Sequence, residues 1–378
     1  MFHVVSGLIA LYVIWRFVLP LPWQRPGKVA LAGVLLLVAE HHLVTRTFFG
    51  TMSSPEVPAT VLLVLGWAFG TLILLAVLLL LRDVLGWLAR PLSRRVSDTL
   101  FGSGGLRWVL AVTSAVLAGV GVWQAVRVPE VRTVEIELPG LPTALDGFTV
   151  VQLTDLHASR LLQRPWMEAV VARTNALSPD LTLVTGDLVD GTPEARADDV
   201  RPLAHLQARH GVFAIPGNHE YYAEYQGWMA AFERLGLRML PNAHVVLPVG
   251  DSTLVVAGVT DPVAARFGLP EPDIGAALAG VPETDTVILM SHRPVGADAY
   301  AQAGADLQLS GHTHGGQVLG LHLATQLANE GYVSGLYRVG AMQLYVSNGA
   351  GLWNGFPIRL GRPSEITRLV LRSMSAGE

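Results

Sequence analysis

The sequence predicts two parts of different class: an N-terminal α-helical transmembrane region over residues 1–127 and an α/β domain over residues 128–378. Three observations carry this reading. Almost everything before Val128 is apolar, in stretches long enough to enter a bilayer. Beyond it, short apolar runs alternate with amphipathic ones, the rhythm of strands and helices packed over sheet faces. Asp, Asn and His then gather directly behind the short runs, where α/β sheets present their ligands.

About four transmembrane helices are expected, over residues 4–19, 29–44, 59–81 and 106–126. Crossing ~30 Å of hydrocarbon takes about 20 mostly apolar residues, which the third and fourth satisfy. The second is the shortest, and Glu40, His41 and His42 are read as its interfacial end, where headgroups and water reach. No basic residues precede the first apolar run and no small-residue cleavage site follows it, so a cleavable signal peptide is not expected.

Orientation follows from the basic residues between spans. The first loop carries Arg25 and Lys28, the second Arg46 offset by Glu56, and the third Arg82, Arg90, Arg94, Arg95 and Arg107. Loops one and three are therefore assigned to the cytoplasm. Four spans then put residues 128–378 on the extracytoplasmic side of a bacterial-type plasma membrane.

Charge divides the same way. Residues 1–127 hold ten basic and four acidic side chains, a net of +6, so the whole-chain net of −4 leaves −10 for the remainder. So acidic a domain argues against a nucleic-acid face, which needs a basic footprint, and suits one that collects divalent cations. The chain has no cysteine, which excludes thiolate metal sites, cysteine nucleophiles and disulfides.

In the second part, strands are predicted at 148–153, 181–185, 212–215, 254–259, 286–290 and 307–309, after a linker over 127–132. A helix over 166–177 has Pro165 at its first turn, and residues 332–371 read as strands joined by glycine turns. Successive strand ends deliver Asp155 and His157, then Asp187, then Asn218 and His219, then His292, then His312 and His314. Singly these are weak signals, because Asp behind a strand is commonly a cap or turn residue, and Asn after Gly commonly holds a left-handed turn. Their conjunction is harder to explain by turns. Three oxygen donors and four imidazoles in consistent register suit a pair of Mn, Fe or Zn ions better than Ca or Mg.

The series Asp155-x-His157, Gly186-Asp187, Gly217-Asn218-His219-Glu220, His292 and Gly311-His312-x-His314 resembles the signature of the calcineurin-like metallophosphoesterases. More narrowly, Gly311 to Gln317 and the tail from Gly335-Leu336-Tyr337 through residues 347–351 to Pro357-x-Arg359 resemble its YkuE/YaeI-like branch. The resemblance covers about residues 131–372, and the membrane part lies outside it.

It implies two packed mixed β-sheets flanked by helices. It also implies that Asp155, His157 and His314 hold one divalent metal ion, that Asn218, His292 and His312 hold a second, and that Asp187 bridges the two. His219 is then the catalytic residue facing the phosphate. The implied activity is hydrolysis of a phosphodiester or pyrophosphate by metal-activated water. The short linker favours a lipid headgroup as substrate, with a soluble nucleotide or other diester as rival. A non-catalytic metal-bound scaffold or sensor coupled to the helices is the alternative of another class. Arg293, Asn348 and Arg359 are candidates for contacting phosphate or for structural roles in loops.

Overall fold

Proline sets the starts of the long helices. Pro26 lies in the first turn of α2 (Arg25–Phe48), and Pro58 precedes α3 (Ala59–Ala89). The computed structural model describes residues 2–51 and 54–374. The chain clusters into two units, one of Met1–Gln124 with Asn354–Leu360, the other of Ala125–Trp353 with Gly361–Glu378.

The first unit opens with α1 (Phe2–Val13), which runs on as a π turn over Ile14–Val18. After α2 and α3 come α4 (Arg94–Gly102), capped by the Ser93 hydroxyl, and α5 (Gly104–Val126). By length and composition α2, α3 and α5 can each cross a membrane, whereas the apolar stretch Phe2–Val18 rises only about 26 Å. Small residues let chain segments approach within this unit. A Cβ on Gly70 of α3 would meet Ile358 at 3.0 Å, so the segment 354–360 packs where glycine leaves room.

One expectation changes here. Helix α2 continues to Phe48, so Glu40, His41 and His42 lie within it rather than at its end, and both histidines are buried. Glu40, His41 Nδ1 and His42 Nε2 have protein partners. His3 Nδ1 lies 3.2 Å from Glu40, and His42 Nε2 donates to the Gly355 carbonyl at 2.5 Å.

The second unit holds two six-stranded mixed sheets. Its strands are β1 (Glu130–Leu138), β2 (Thr149–Leu153), β3 (Leu181–Thr185), β4 (Val212–Ile215), β5 (Arg238–Met239), β6 (Ala243–Val249), β7 (Ser252–Gly258), β8 (Thr286–Met290), β9 (Leu307–Ser310), β10 (Gly335–Val339), β11 (Met342–Val346) and β12 (Glu365–Ser373). One sheet has the order β1-β12-β2-β3-β4-β5 and the other β10-β11-β9-β8-β7-β6. Strands β2 to β5 run parallel, as do β7, β8, β9 and β11. The linker proves shorter than expected. Strand β1 begins at Glu130 and pairs in parallel with β12, because Val134, Ile136 and Leu138 alternate inward.

Period-two alternation explains how each strand serves two cores. Leu181, Leu183, Phe213 and Ile215 of the first sheet share a core with Leu254, Val256, Ile288 and Met290 of the second. The opposite side of the first sheet, through Val151, Leu153 and Val184, is covered by α6 (Arg164–Asn175) with Met167 and Val170, and by Trp228 and Phe232. Each such aliphatic side chain contributes about 1.5–3 kcal/mol by leaving water. These cores hold the strand ends in fixed register, and the site is built there.

Candidate metal centre

Both sheets contribute to the site, which a reading of strand ends along one sheet edge does not anticipate. Asp155, His157, Asp187, Asn218 and His219 follow β2, β3 and β4 of the first sheet, while His292, His312 and His314 follow β8 and β9 of the second. The structure brings them together. Ligand-capable atoms of Asp155, His157 and His314 lie within 4.8 Å of one another, as do those of His157, Asp187 and His219, and of Asp187, His292 and His312. Asp187 belongs to two of these groups and so sits between the other residues.

The backbone there is unusual in a telling way. Asp155, His157, Asp187, His312 and His314 all adopt left-handed conformations, with φ of 54°, 45°, 54°, 67° and 51°. Side chains with a Cβ rarely occupy that region, and five at one site require a surrounding structure that over-determines them. Hydrogen bonds supply part of that constraint. Asp155 N–H donates to the Gly186 carbonyl at 3.0 Å, His157 N–H to the Asp187 carbonyl at 3.1 Å, and His312 N–H to both Asp155 carboxylate oxygens at 3.1 Å. Gly186, at φ 93°, is one place where turns from the two sheets come close. A Cβ there would lie 2.7 Å from both the Gly217 backbone and His292 Nδ1.

Two further residues hold the site, and sequence reasoning gave neither a role. Asp190 Oδ1 accepts from His219 Nδ1 at 2.5 Å and lies 3.2 Å from His157 Nδ1. Glu220, fully buried, accepts the N–H groups of Asp187 at 3.1 Å, Leu188 at 2.7 Å and Gly217 at 2.7 Å, which ties the β3 and β4 turns together. The only hint in the sequence was a carboxylate three residues after Asp187 and another two after Asn218.

These partners settle the tautomers. His157 Nδ1 faces a carboxylate and His292 Nδ1 faces the Thr185 carbonyl at 2.8 Å, so in both rings Nδ1 carries the hydrogen. That turns both Nε2 atoms toward the carboxylates: His292 Nε2 lies 3.2 Å from Asp187 Oδ2, whereas His157 Nε2 and Asn218 Oδ1 are buried and unpaired. Unpaired buried acceptors converging among carboxylates are what divalent cations need, with carboxylate and carbonyl groups fixing the imidazoles from behind. The residues present fit the metals that the sequence implies.

Charge tells the same story. Burial opposes ionisation of Asp187, but His292, His219 and His157 outweigh it and hold the carboxyl well below its usual range. Burial similarly opposes protonation of the imidazoles, yet Asp187 pushes His292 up to about 10, and Asp187 with Asp190 pushes His219 up to about 9. Burial raises Asp155, while burial and the neighbouring His292 hold His312 well below the usual imidazole range. Burial and the nearby Asp187 carry Glu220 up to about 7.

In the metal-free protein the protons of His219 and His292 thus stand where cations belong. Both pKa values are raised above the unfolded ~6.5, so their stabilising contribution is full below that pH and is lost as pH rises through about 9 to 10. Chelated protein should therefore melt at a lower temperature at pH 10 than at pH 6.5. Bound divalent metal competes with those protons and should remove this trend. Equal melting of chelated protein at the two pH values would contradict the charge arrangement described.

Of the other candidates, Arg293 lines a cleft together with Tyr222, the neighbour of His219. That cleft, of about 200 Å³, is formed with Tyr222, Pro262, Val263 and Arg266. Asn348 accepts from the Ser334 hydroxyl at 2.7 Å and donates to the Pro363 carbonyl at 3.0 Å, a structural role. Arg359 is buried in the helical unit, its N–H on the Gly121 carbonyl at 3.0 Å.

The chain belongs to the calcineurin-like phosphoesterases. The model of that family matches residues 148–316. Among relatives, a transmembrane protein with a metallophosphoesterase domain from Danio rerio is 34% identical over 315 residues, covering 80% of this chain and 72% of that one. The protein of the same description from Bos taurus is 35% identical over 284 residues, covering 71% of this chain, which spans 63% of the bovine length. The metallophosphoesterase YkuE of Bacillus subtilis is 31% identical over 243 residues, covering 62% of this chain and 82% of that one. With three helices able to cross a bilayer and relatives described as transmembrane, this is a membrane protein.

Proposed function

We propose that the protein is a membrane-anchored phosphodiesterase or pyrophosphatase that works with two divalent cations on a lipid headgroup. The observation that carries this is the overlap of three groups of ligand-capable atoms, Asp155 with His157 and His314, His157 with Asp187 and His219, and Asp187 with His292 and His312, each within 4.8 Å, with His157 Nε2 and Asn218 Oδ1 buried and unpaired. In this reading Asp155, His157 and His314 hold one ion, and Asn218, His292 and His312 the other. Asp187, which belongs to two of the ligand groups, would offer its carboxylate to both and offset part of their charge. Mixed oxygen and imidazole donors favour Mn, Fe or Zn. When bound, the cations supply Lewis acidity, making water nucleophilic near neutral pH and drawing charge from the phosphoryl oxygens.

The chain's own residues do the rest. His219 Nδ1–H is held by Asp190, so the ring presents Nε2, 4.0 Å from Asp187 Oδ2, at a partly exposed point of the cluster. A proton on that Nε2 passes to the leaving oxygen and leaves a neutral imidazole still anchored through Nδ1. Arg293, fixed by Asp261 at 2.8 Å, and Arg266 line the neighbouring cleft and offer guanidinium groups to a second phosphate or an anionic leaving group. Tyr222, whose ring centroid is 5.5 Å from that of His219, closes the wall between them. The lipid substrate rests on tethering, since only residues 127–129 separate α5 from β1. The full complement of donors, with His219 beside them, speaks against a scaffold that has lost its chemistry.

The test uses the full-length protein in detergent, chelated, with a chromogenic phosphodiester. Turnover should vanish on chelation and return with manganese, and a vesicle-borne diester should be hydrolysed faster than its soluble counterpart. A folded protein that binds manganese, iron and zinc yet cleaves neither diesters nor pyrophosphates would refute the enzymatic reading. Equal rates on vesicle-borne and soluble substrates would refute the lipid one.

A further inference from the structure

The helical unit contains a buried charge cluster that the phosphoesterase chemistry leaves unused. Asp83 on α3 accepts Arg16 Nε at 2.6 Å and Nη2 at 2.8 Å, the Tyr12 hydroxyl at 2.9 Å, and Arg82 Nε and Nη2 at 2.9 and 2.6 Å. The Arg16 guanidinium also lies over the Phe101 ring, 5.4 Å from its centroid, and Arg107 Nη1 donates to the Phe101 carbonyl at 3.4 Å. Two guanidinium groups thus share one carboxylate, Arg107 stands beside them against the same Phe101, and the four groups carry a net charge of +2. Arg82 and Arg107 are only 4% and 9% exposed, and Arg82 Nη1 and Arg107 Nε have no hydrogen-bond partner.

A buried cation without a counter-charge is strongly unfavourable, more so at membrane depth. The protein supplies one anion where three cations gather, and two charged N–H groups point at nothing the described residues provide. The missing component is an anion. Guanidinium forks match phosphate oxygens in geometry as well as charge.

The surroundings say where that phosphate comes from. Arg25 and Lys28 open α2, and Arg90, Arg94 and Arg95 stand in and after the α3–α4 turn. Such enrichment marks the cytoplasmic end of membrane helices, next to the leaflet rich in anionic lipid. Trp87 and Leu92 are exposed beside them, as interfacial anchors are. We propose that Arg16, Arg82 and Arg107 form a binding site for the phosphate headgroup of an anionic phospholipid, which engages Arg82 Nη1 and Arg107 Nε and completes the charge balance of the helical unit. This site is independent of the phosphoesterase centre.

Native mass spectrometry of the full-length protein, loaded with equimolar phosphatidylglycerol and phosphatidylcholine, tests this directly. At least tenfold preferential retention of phosphatidylglycerol is expected. Equal retention overturns the proposal without any variant. Arg107→Leu removes one uncompensated cation, so it should melt no lower than the parent in phosphatidylcholine nanodiscs while losing the preference at least tenfold. Arg25→Gln, at an exposed position, should keep it. If Arg107→Leu retains the preference, or melts lower in both lipids alike, the cluster is an ordinary internal ion pair. Inorganic phosphate alone is the remaining arm. If it raises the parent's melting temperature as far as phosphatidylglycerol does, and Arg107→Leu abolishes both effects, the site takes free phosphate and the lipid assignment fails.

Discussion

Asp187→Asn is expected to lower turnover at least about 10³-fold, the largest effect of any single change in this protein. The expectation follows from how much converges on one carboxylate. Asp187 Oδ1 accepts the His219 N–H at 2.8 Å, and Oδ2 lies 3.2 Å from His292 Nε2 and 3.8 Å from His157 Nε2. Asparagine keeps the shape and the backbone turn, so the domain should still fold. It removes the negative charge that both proposed ions would share and places an NH₂ group where an acceptor is required. Metal content should therefore fall along with rate, read by elemental analysis after gel filtration. A variant with near-parental turnover and full metal content would show that the centre is not organised around Asp187.

The parts of this architecture that were legible in the sequence are those with local causes. The strands at 181–185, 212–215 and 286–290 were bounded to the residue, because each is a short apolar run stopped by a turn, with both faces buried. The eight candidate site residues were picked out for a related reason: each follows a strand in the structure, and strand ends are where sheets leave their backbone open. What escaped was non-local. The pairing of β1 with β12 joins residues more than two hundred positions apart, and nothing in Glu130–Leu138 names that partner. The grouping of Asn354–Leu360 with the helices depends on Gly66, Gly70 and Gly121, which read in sequence as ordinary residues of apolar helices. Glu40 and His42 read as the end of a span because their partners, His3 and the Gly355 carbonyl, are not neighbours in sequence. Asp190 was overlooked because its role is to hold His157 and His219, and the position of a residue that acts through others carries no signature of its own.

His219→Ala should separate catalysis from metal binding. Its Nδ1 is committed to Asp190, and its Nε2 is farther from Asp187 than that of His292, at 4.0 Å against 3.2 Å. Both proposed ion positions keep their other donors when the ring is removed, so metal content should stay at the parental level while kcat falls about 10²- to 10⁴-fold. The size of that loss should depend on the leaving group. A nitrophenolate departs without help, so a nitrophenyl diester should show the smaller effect, whereas an alkyl diester, whose alkoxide needs a proton, should show the larger. Asp190→Asn offers the complementary reading. It leaves the imidazole in place but replaces the carboxylate that fixes the Nδ1–H tautomer of both His219 and His157. It should thus reproduce part of the leaving-group dependence and weaken metal binding as well, since His157 loses its support. If His219→Ala instead strips the metals, the ring is a ligand and the proton donor must be sought elsewhere. If it slows both diesters equally with metals intact, His219 steadies the phosphoryl group rather than protonating the leaving oxygen.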